Sequence, residues 1–336
     1  MKKILALMLA LLMITTLFVA CNNDAPDDGD PAEQGALDTE LPIRIWTLNG
    51  TTGFGMAPLM DSKTQNTAAL NYEFTVEADA ANVQSALING TADIAALPTN
   101  AASALYNKTN GGVVLLALNT RGVLYLVANT AKVTAPTSLA DLSGKTVYVP
   151  AQNPTFITQA LINKAAVANV TLDNTTYKEP AALRDALAGG LVDLAVLPEP
   201  MVTIAASKAE EGVTLTTALD VTAEWNKYFT EGSLVQGCVV ARKEFVEQHP
   251  SEVKKFLEEY ETSINYVIQN PKSASEMIKN ADIFAQAPVA EKAIPKCNFC
   301  YLTGAEMKAA MQAFLAAMPL QSIGGALPAD HFYYGA

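Results

Sequence analysis

The sequence is poor in the residues that most often carry out chemistry. Its 336 residues include two histidines and four cysteines, and its 22 basic residues are outnumbered by 34 acidic ones. His249 precedes a proline at a predicted helix boundary and His331 lies in the tail, so neither is placed to activate a nucleophile. No nucleophile elbow, phosphate-binding loop or paired-histidine zinc motif occurs. These absences predict a protein without catalytic residues or a cofactor.

The charge balance and the remaining cysteines exclude further classes. A formal net charge of −12 disfavours nucleic acid or an anionic lipid surface as a partner. Cys297 and Cys300 form one C-x-x-C pair, which two histidines cannot complete as a four-ligand zinc site without carboxylates. We therefore expect no metal. Buried thiols and a local disulfide both remain open for this pair and Cys238.

The amino-terminal residues predict export. Lys2 and Lys3 precede an apolar run over residues 4–18, which is too short for a membrane span and typical of a secretory signal over residues 1–20. Ala20 directly before Cys21 resembles a bacterial lipobox, so we expect Cys21 to be a lipid anchor. The alternative is a plain secretion signal. The expected location is the extracytoplasmic face of the bacterial cell membrane.

The next residues predict a tether and a divided body. Residues 21–40 are rich in aspartate, glutamate, proline and glycine, and bury too little apolar surface to order themselves. The body from residue 41 onward is longer than a single hydrophobic core usually supports. We therefore expect two lobes.

An internal repeat predicts how the lobes are built. Residues 86–98 and 186–198 share Ala, Leu, Gly, Asp, Ala, Leu and Pro at identical places. In each copy a helix ends at glycine, a turn containing Asp93 or Asp193 follows, and a continuously apolar strand ends at proline. Each copy is preceded by another strand and helix, which favours two α/β units with mostly parallel sheets flanked by helices.

Two extended apolar segments, residues 123–128 and 234–241, are predicted as strands that cross between the lobes. These crossing strands divide the body into lobe I, residues 41–125 and 239–336, and lobe II, residues 126–238. We expect the lobes to close by pivoting at Val127 and Val240. The helical tail is expected to pack on lobe I.

The strand, the glycine-closed helix, the Gly-x-x-Asp-(Ile/Leu)-Ala-x-Leu-Pro segment, the crossing strands and the helical tail together resemble the type II periplasmic binding-protein fold. More narrowly, residues 41–320 resemble the branch that binds nitrate, aliphatic sulfonates, taurine and thiamine-pyrimidine precursors for ABC importers. The resemblance implies a monomer that captures a small-molecule solute and docks on a membrane permease.

Ligands of open α/β sheets bind beyond the carboxyl ends of the strands. The loops at these ends, with a basic residue at the cleft edge, supply the predicted ligand-binding residues: Asn49, Gly50, Thr51, Thr52, Phe54, Thr99, Asn100, Arg121, Gln152, Asn153, Thr155, Phe156 and Glu199.

Several of these residues have a second interpretation. Thr51 or Thr52 fits a helix cap as well as a ligand contact. Phe54 and Phe156 are candidates to sandwich a planar ring, but aromatic residues in a first helical turn also pack in cores. Glu199 fits either a ligand amino group or the start of its own helix.

The scarcity of basic residues favours a neutral ligand. Arg121 is the only basic residue near a predicted cleft edge, whereas an anion site usually includes an Arg or Lys fork. A planar heterocycle such as a pyrimidine is therefore favoured over a sulfonate or nitrate. An enzyme on the same fold is a further alternative. Relatives that use pyridoxal phosphate hold it on a lysine, and the four predicted loops contain none.

Overall fold

The structure is a computed structural model that describes residues 36–230, 232 and 234–336. The expected signal peptide, Cys21 and residues 21–35 of the expected tether lie outside the described residues. From Asp38 onward the chain is held on the body: the backbone N–H of Asp38 donates to Glu252 Oε1 at 2.7 Å, and its carboxylate accepts from the N–H of Leu41. No described helix combines the length and the apolar character needed to cross a membrane.

The described residues form two separate sheets. The first has six strands in the order β11-β4-β10-β3-β1-β2. Its strands are β1 (Pro42–Leu48), β2 (Asn71–Glu77), β3 (Ile94–Pro98), β4 (Val113–Arg121), β10 (Val235–Arg242) and β11 (Phe299–Leu302). β1 pairs in parallel with β2 and β3, whereas β10 and β11 run antiparallel to their neighbours.

The second sheet has five described strands in the order β7-β6-β8-β5-β9. They are β5 (Leu124–Asn129), β6 (Thr146–Tyr148), β7 (Thr171–Asp173), β8 (Leu194–Pro198) and β9 (Leu215–Asp220). β6 pairs in parallel with β7 and β8, and β5 is antiparallel to β8 and β9. The expected α/β class with two sheets is confirmed.

The direction of the crossing strands follows from how the chain changes sheets. β4 ends at Arg121, and β5 begins at Leu124 beside the end of β8, so it enters the second sheet from its carboxyl edge. It must then run against β8 and β9. β9 ends at Asp220, and β10 returns opposite Arg121 at the carboxyl edge of the first sheet. β10 is antiparallel to β3 and β4 for the same reason.

The passages between the sheets are residues 122–123 and 221–234. Val127 and Val240, at which we expected the lobes to pivot, instead lie within strands that are paired on both sides. The interstrand hydrogen bonds on either side hold these two valines in place. Residues 122–123 lie outside the described strands, and most of the described part of residues 221–234 forms a helix, Val221–Tyr228.

Helices flank both sheets. Before β10 they are α1 (Thr51–Phe54), α2 (Ala57–Thr64), α3 (Ala80–Asn89), α4 (Thr99–Lys108), α5 (Asn153–Lys164), α6 (Pro180–Ala188), α7 (Met201–Lys208) and α8 (Val221–Tyr228). The tail contains α9 (Lys243–Gln248), α10 (Pro250–Gln269), α11 (Pro271–Asn280), α12 (Ala287–Ala293) and α13 (Gly304–Ala316). α10 contacts α2, β4 and β11, so the tail packs on the first sheet as expected.

The two copies of the repeat differ at their aspartates. Asp93 is buried and accepts hydrogen bonds from Arg44 Nε at 2.8 Å and from Arg242 at 3.3 Å, so it ties three strand ends together. Asp193 is 43 % exposed and lies 3.7 Å from Lys132 Nζ. The two turns predicted to be alike therefore carry very different interactions.

Candidate functional site

The carboxyl ends of both sheets meet at the first passage. Three residue steps separate Arg121 at the end of β4 from Leu124 at the start of β5, so the two edges lie within about 10 Å of each other there. Gly122 is required at this point because a Cβ would lie 1.9 Å from Thr222 Oγ1. The backbone of Val123 bonds to both lobes, donating to Gln236 Oε1 and accepting from the N–H of Glu199.

The loop after β1 contributes the start of a short helix. Gly50 is the cap residue of α1 and has φ 85° and ψ −165°, a conformation that strongly favours glycine. Thr51 and Thr52 lie half-buried inside the first turn, and neither side chain caps the helix. The side chain of Asn49 is exposed, and its backbone N–H donates to Glu77 O at 2.8 Å.

Phe54 does not form a wall of the site. Its side chain is 0 % exposed and packs against Phe284 and Phe299, with ring centroids 5.9 and 6.2 Å away. Phe156 is half-buried against the main apolar core. The expected aromatic sandwich is therefore wrong for Phe54, because the helical tail covers its ring.

The start of α4 places a polar side chain in a nearly buried position. Thr99 is buried, and its hydroxyl donates to Val235 O at 2.8 Å, which fixes α4 against the returning strand. Asn100 is 9 % exposed, and its Oδ1 has no hydrogen-bond partner. A buried acceptor without a donor is costly, so Asn100 is a candidate for a ligand contact.

The second lobe repeats this arrangement at the start of α5. Asn153 is 9 % exposed, and its Oδ1 also lacks a partner. Gln152 is the N-cap residue of α5 but makes no side-chain cap hydrogen bond; with φ 70° and ψ −134° it holds a positive φ at the place where the first lobe uses Gly50. The hydroxyl of Thr155 donates to Pro150 O at 2.7 Å, a contact that fixes the loop.

Glu199 lies at the end of β8 with its side chain fully buried. Its carboxylate accepts from the N–H and the hydroxyl of Thr203, both at 3.1 Å, so it caps α7. Lys296 Nζ lies 3.5 Å from Oε1 of the same carboxylate. The capping interpretation is therefore observed, together with a cation that the sequence did not reveal.

Lys296 belongs to the turn Ile294–Lys296 in the tail, 97 residues from Glu199. The hydroxyl of Tyr125 in β5 donates to Lys296 O at 2.7 Å, and burial raises the pKa of this tyrosine, so the hydroxyl stays protonated. Asn298 donates through Nδ2 to Gly122 O at 2.6 Å. Nothing near Lys296 in the sequence signals this position, because only the fold brings the tail to the passage.

The remaining candidates lie at the margin. Arg121 is half-buried, and its backbone N–H donates to Asn298 O at 2.9 Å. Burial raises the pKa of Cys300 to about 12, and the charge of Arg121 opposes this shift. Cys238 and Cys297 are buried free thiols, and the described residues contain no cluster of three metal-ligating side chains.

Comparison with solved structures identifies the architecture. A protein described as an ABC transporter from Parabacteroides distasonis is similar with a TM-score of 0.72 and 23 % identity, over 88 % of this chain and 99 % of that chain. The periplasmic aliphatic sulphonate binding protein SsuA of Escherichia coli gives 0.62 and 14 %, over 84 % and 85 % of the two chains. The alkanesulfonate-binding protein SsuA of Xanthomonas axonopodis pv. citri, bound to MOPS, gives 0.60 and 14 %, over 89 % and 97 %. These likenesses establish a two-lobed type II periplasmic binding-protein fold.

No curated protein is similar enough in sequence to count as a match. The family model described as NMT1/THI5 like matches residues 66–274, which is more than half of the chain and includes the repeat, both passages and most of the predicted loops. The chain therefore belongs to the NMT1/THI5-like family.

Proposed function

We propose that this protein is the substrate-binding subunit of an ABC importer and that it captures a small flat heterocycle with N–H donors, such as an aminopyrimidine, between its lobes. It acts as a monomer on the extracytoplasmic face of the cell membrane, is anchored through Cys21, and delivers the solute to a permease. The importer role is supported by the fold and by neighbours named as ABC-transporter and sulfonate-binding proteins.

One observation carries the choice of ligand. Asn100 on the first lobe and Asn153 on the second each hold a nearly buried amide oxygen without a donor. Leaving such an acceptor unpaired costs about 1–3 kcal/mol, so a ligand that supplies N–H groups regains this energy. Because the two oxygens belong to different lobes, a ligand that pairs with both also favours closure.

The same chemistry separates a heterocycle from an anion. Sulfonate and nitrate bring acceptors only, which cannot pair with the amide oxygens of Asn100 and Asn153 or with the carboxylate of Glu199. An anion site of this kind usually depends on a guanidinium fork. A sulfonate remains the second candidate, because two of the similar structures are named as sulfonate-binding proteins.

An enzyme on the same fold is the alternative from another class. The predicted loops contain no lysine, but the fold places Lys296 beside Glu199. An amine in this position is the feature that would serve a carbonyl cofactor such as pyridoxal phosphate. Its observed partner is a carboxylate, which supports a role in charge balance.

Thermal unfolding with a ligand panel tests the proposal. A solute that binds only the native state raises the melting temperature by mass action. We expect shifts with aminopyrimidines and none with alkanesulfonates or nitrate, and mass spectrometry should recover the pyrimidine unchanged. A shift with sulfonates alone would contradict the heterocycle and keep the import role. Conversion of the bound compound would instead support the enzyme.

A further inference from the structure

The turn Ile294–Lys296 and the following residues bridge the two lobes. Lys296 accepts through its backbone oxygen from Tyr125 of the second sheet, and Asn298 donates to the passage at Gly122. Cys297 is completely buried and packs with Val123. The backbone of this segment is therefore fixed against the second lobe, while the Lys296 side chain is 51 % exposed.

The charge of Glu199 is only loosely compensated in this arrangement. Its buried carboxylate accepts two hydrogen bonds of 3.1 Å from Thr203, and its nearest cation lies at 3.5 Å. A carboxylate removed from water needs close donors or a paired cation to offset its lost hydration. The Lys296 ammonium is half in water on a flexible stem, so it can withdraw and remain hydrated.

We infer that Glu199 and Lys296 form an exchangeable ion pair: the carboxylate anchors the N–H donors of the ligand, and the Lys296 ammonium is the resident cation that the ligand replaces. This inference rests on the proposed function, because it concerns the same cleft. The amino group of a neutral amino-heterocycle donates N–H bonds to the carboxylate at close range, whereas the ammonium lies at 3.5 Å.

The exchange makes Lys296 a specificity-determining residue. A ligand with its own positive charge enters beside a displaced ammonium and meets repulsion, whereas a neutral amino-heterocycle does not. The wild-type protein therefore selects neutral donors over cations. Removal of the ammonium should relax this selection and open Glu199 to small amidinium ions.

Acetamidinium, a small planar cation with paired N–H donors, is the probe for this exchange. Thermal midpoints are measured for the wild type, Lys296→Met, Lys296→Arg and the double variant Lys296→Met with Glu199→Gln, in acetamidinium chloride against sodium chloride of equal concentration. Lys296→Met should reach a given rise in midpoint at an acetamidinium concentration about tenfold lower than the wild type needs. Lys296→Arg should respond as the wild type does.

The double variant is the decisive control, because it lacks both the resident cation and the carboxylate. Its midpoint should change equally in the two salts. An equal response of Lys296→Met and the wild type, or a response of the double variant as large as that of Lys296→Met, would overturn the exchange. Pyrimidine binding to the wild type is read separately, so the importer proposal and the exchange can fail independently.

Discussion

Replacing the repeated aspartates one at a time tests how the repeat stabilises the fold. Asp93→Ala removes a buried carboxylate that accepts from Arg44 Nε and Nη2 and from the Arg44 backbone N–H at 3.0 Å. Arg242 loses a partner as well. Asp193→Ala is the matched control, because it occupies the same place in the second copy and has Lys132 at 3.7 Å as its ion-pair partner.

The expected losses differ several-fold. Removing one partner of a buried charge pair costs about 3–5 kcal/mol. The two arginine side chains are 38 % and 22 % exposed and regain some hydration, so we place Asp93→Ala near the lower end, at about 3 kcal/mol. An ion pair as exposed as that of Asp193 contributes about 1 kcal/mol or less.

The assay is urea unfolding of both variants, followed by circular dichroism and by tryptophan fluorescence, with Asp93→Asn as a variant that keeps the shape and loses the charge. Asp93→Asn should lie between the wild type and Asp93→Ala. Equal losses for Asp93→Ala and Asp193→Ala would contradict this expectation, because the buried network would then contribute no more than a surface ion pair.

Three further changes have defined outcomes. Gly122→Ala should strongly lower the melting temperature, because its Cβ would lie 1.9 Å from Thr222 Oγ1, and Thr222→Ala in the same chain should recover part of the loss. Gln152→Gly should raise the free energy of unfolding by about 1 kcal/mol in a denaturant titration, because φ 70° with ψ −134° is strained for any other residue. Hydrogen bonds from the Thr176 side chain and backbone lower the pKa of Asp173 to about 2. The ionised Asp173 therefore stabilises the folded protein fully above its unfolded pKa near 4, and this stabilisation is lost as the pH falls toward 2. Asp173→Asn should therefore flatten the pH dependence of stability in that window.

Each of these three predictions would be contradicted by a specific result. An unchanged melting temperature of Gly122→Ala would mean that the passage has room for a side chain. A less stable Gln152→Gly would show that the glutamine conformation carries no strain. If the stability of Asp173→Asn fell with pH in parallel with that of the wild type between pH 4 and pH 2, the hydrogen bonds to Asp173 would not be the cause of the pH dependence.

The sequence predicted the strands because their apolar runs are bounded by residues that restrict the backbone. Gly90 ends α3 with φ 73°, and the strands within the two copies are buried from Ile94 to Leu97 and from Leu194 to Leu197, as predicted. The second glycine of the other copy, Gly190, also has a positive φ. Local backbone chemistry was sufficient for these elements.

Contacts between distant parts of the chain were not predictable in this way. Asp93 was expected to form only a turn, because its partner Arg242 lies 149 residues away. Phe54 was expected at the cleft, but the tail supplies Phe284 and Phe299 to bury it. Lys296 was not predicted, because the feature noted beside it in the sequence was the Cys297–Cys300 pair, which indicated buried thiols or a disulfide and not a charged site residue. A first helical turn looks the same in sequence whether it faces a core or a ligand.

The role of the two cleft amides is tested by calorimetric titration of the most strongly bound aminopyrimidine into the wild type, Asn100→Ala and Asn153→Ala. Asn163→Ala, an exposed position at the far end of α5, is the control. Each cleft variant should bind about tenfold or more weakly, as expected for one buried hydrogen bond, while its ligand-free stability is unchanged or higher. Wild-type affinity in both cleft variants would contradict the claim that two unpaired amide oxygens, one on each lobe, receive the ligand.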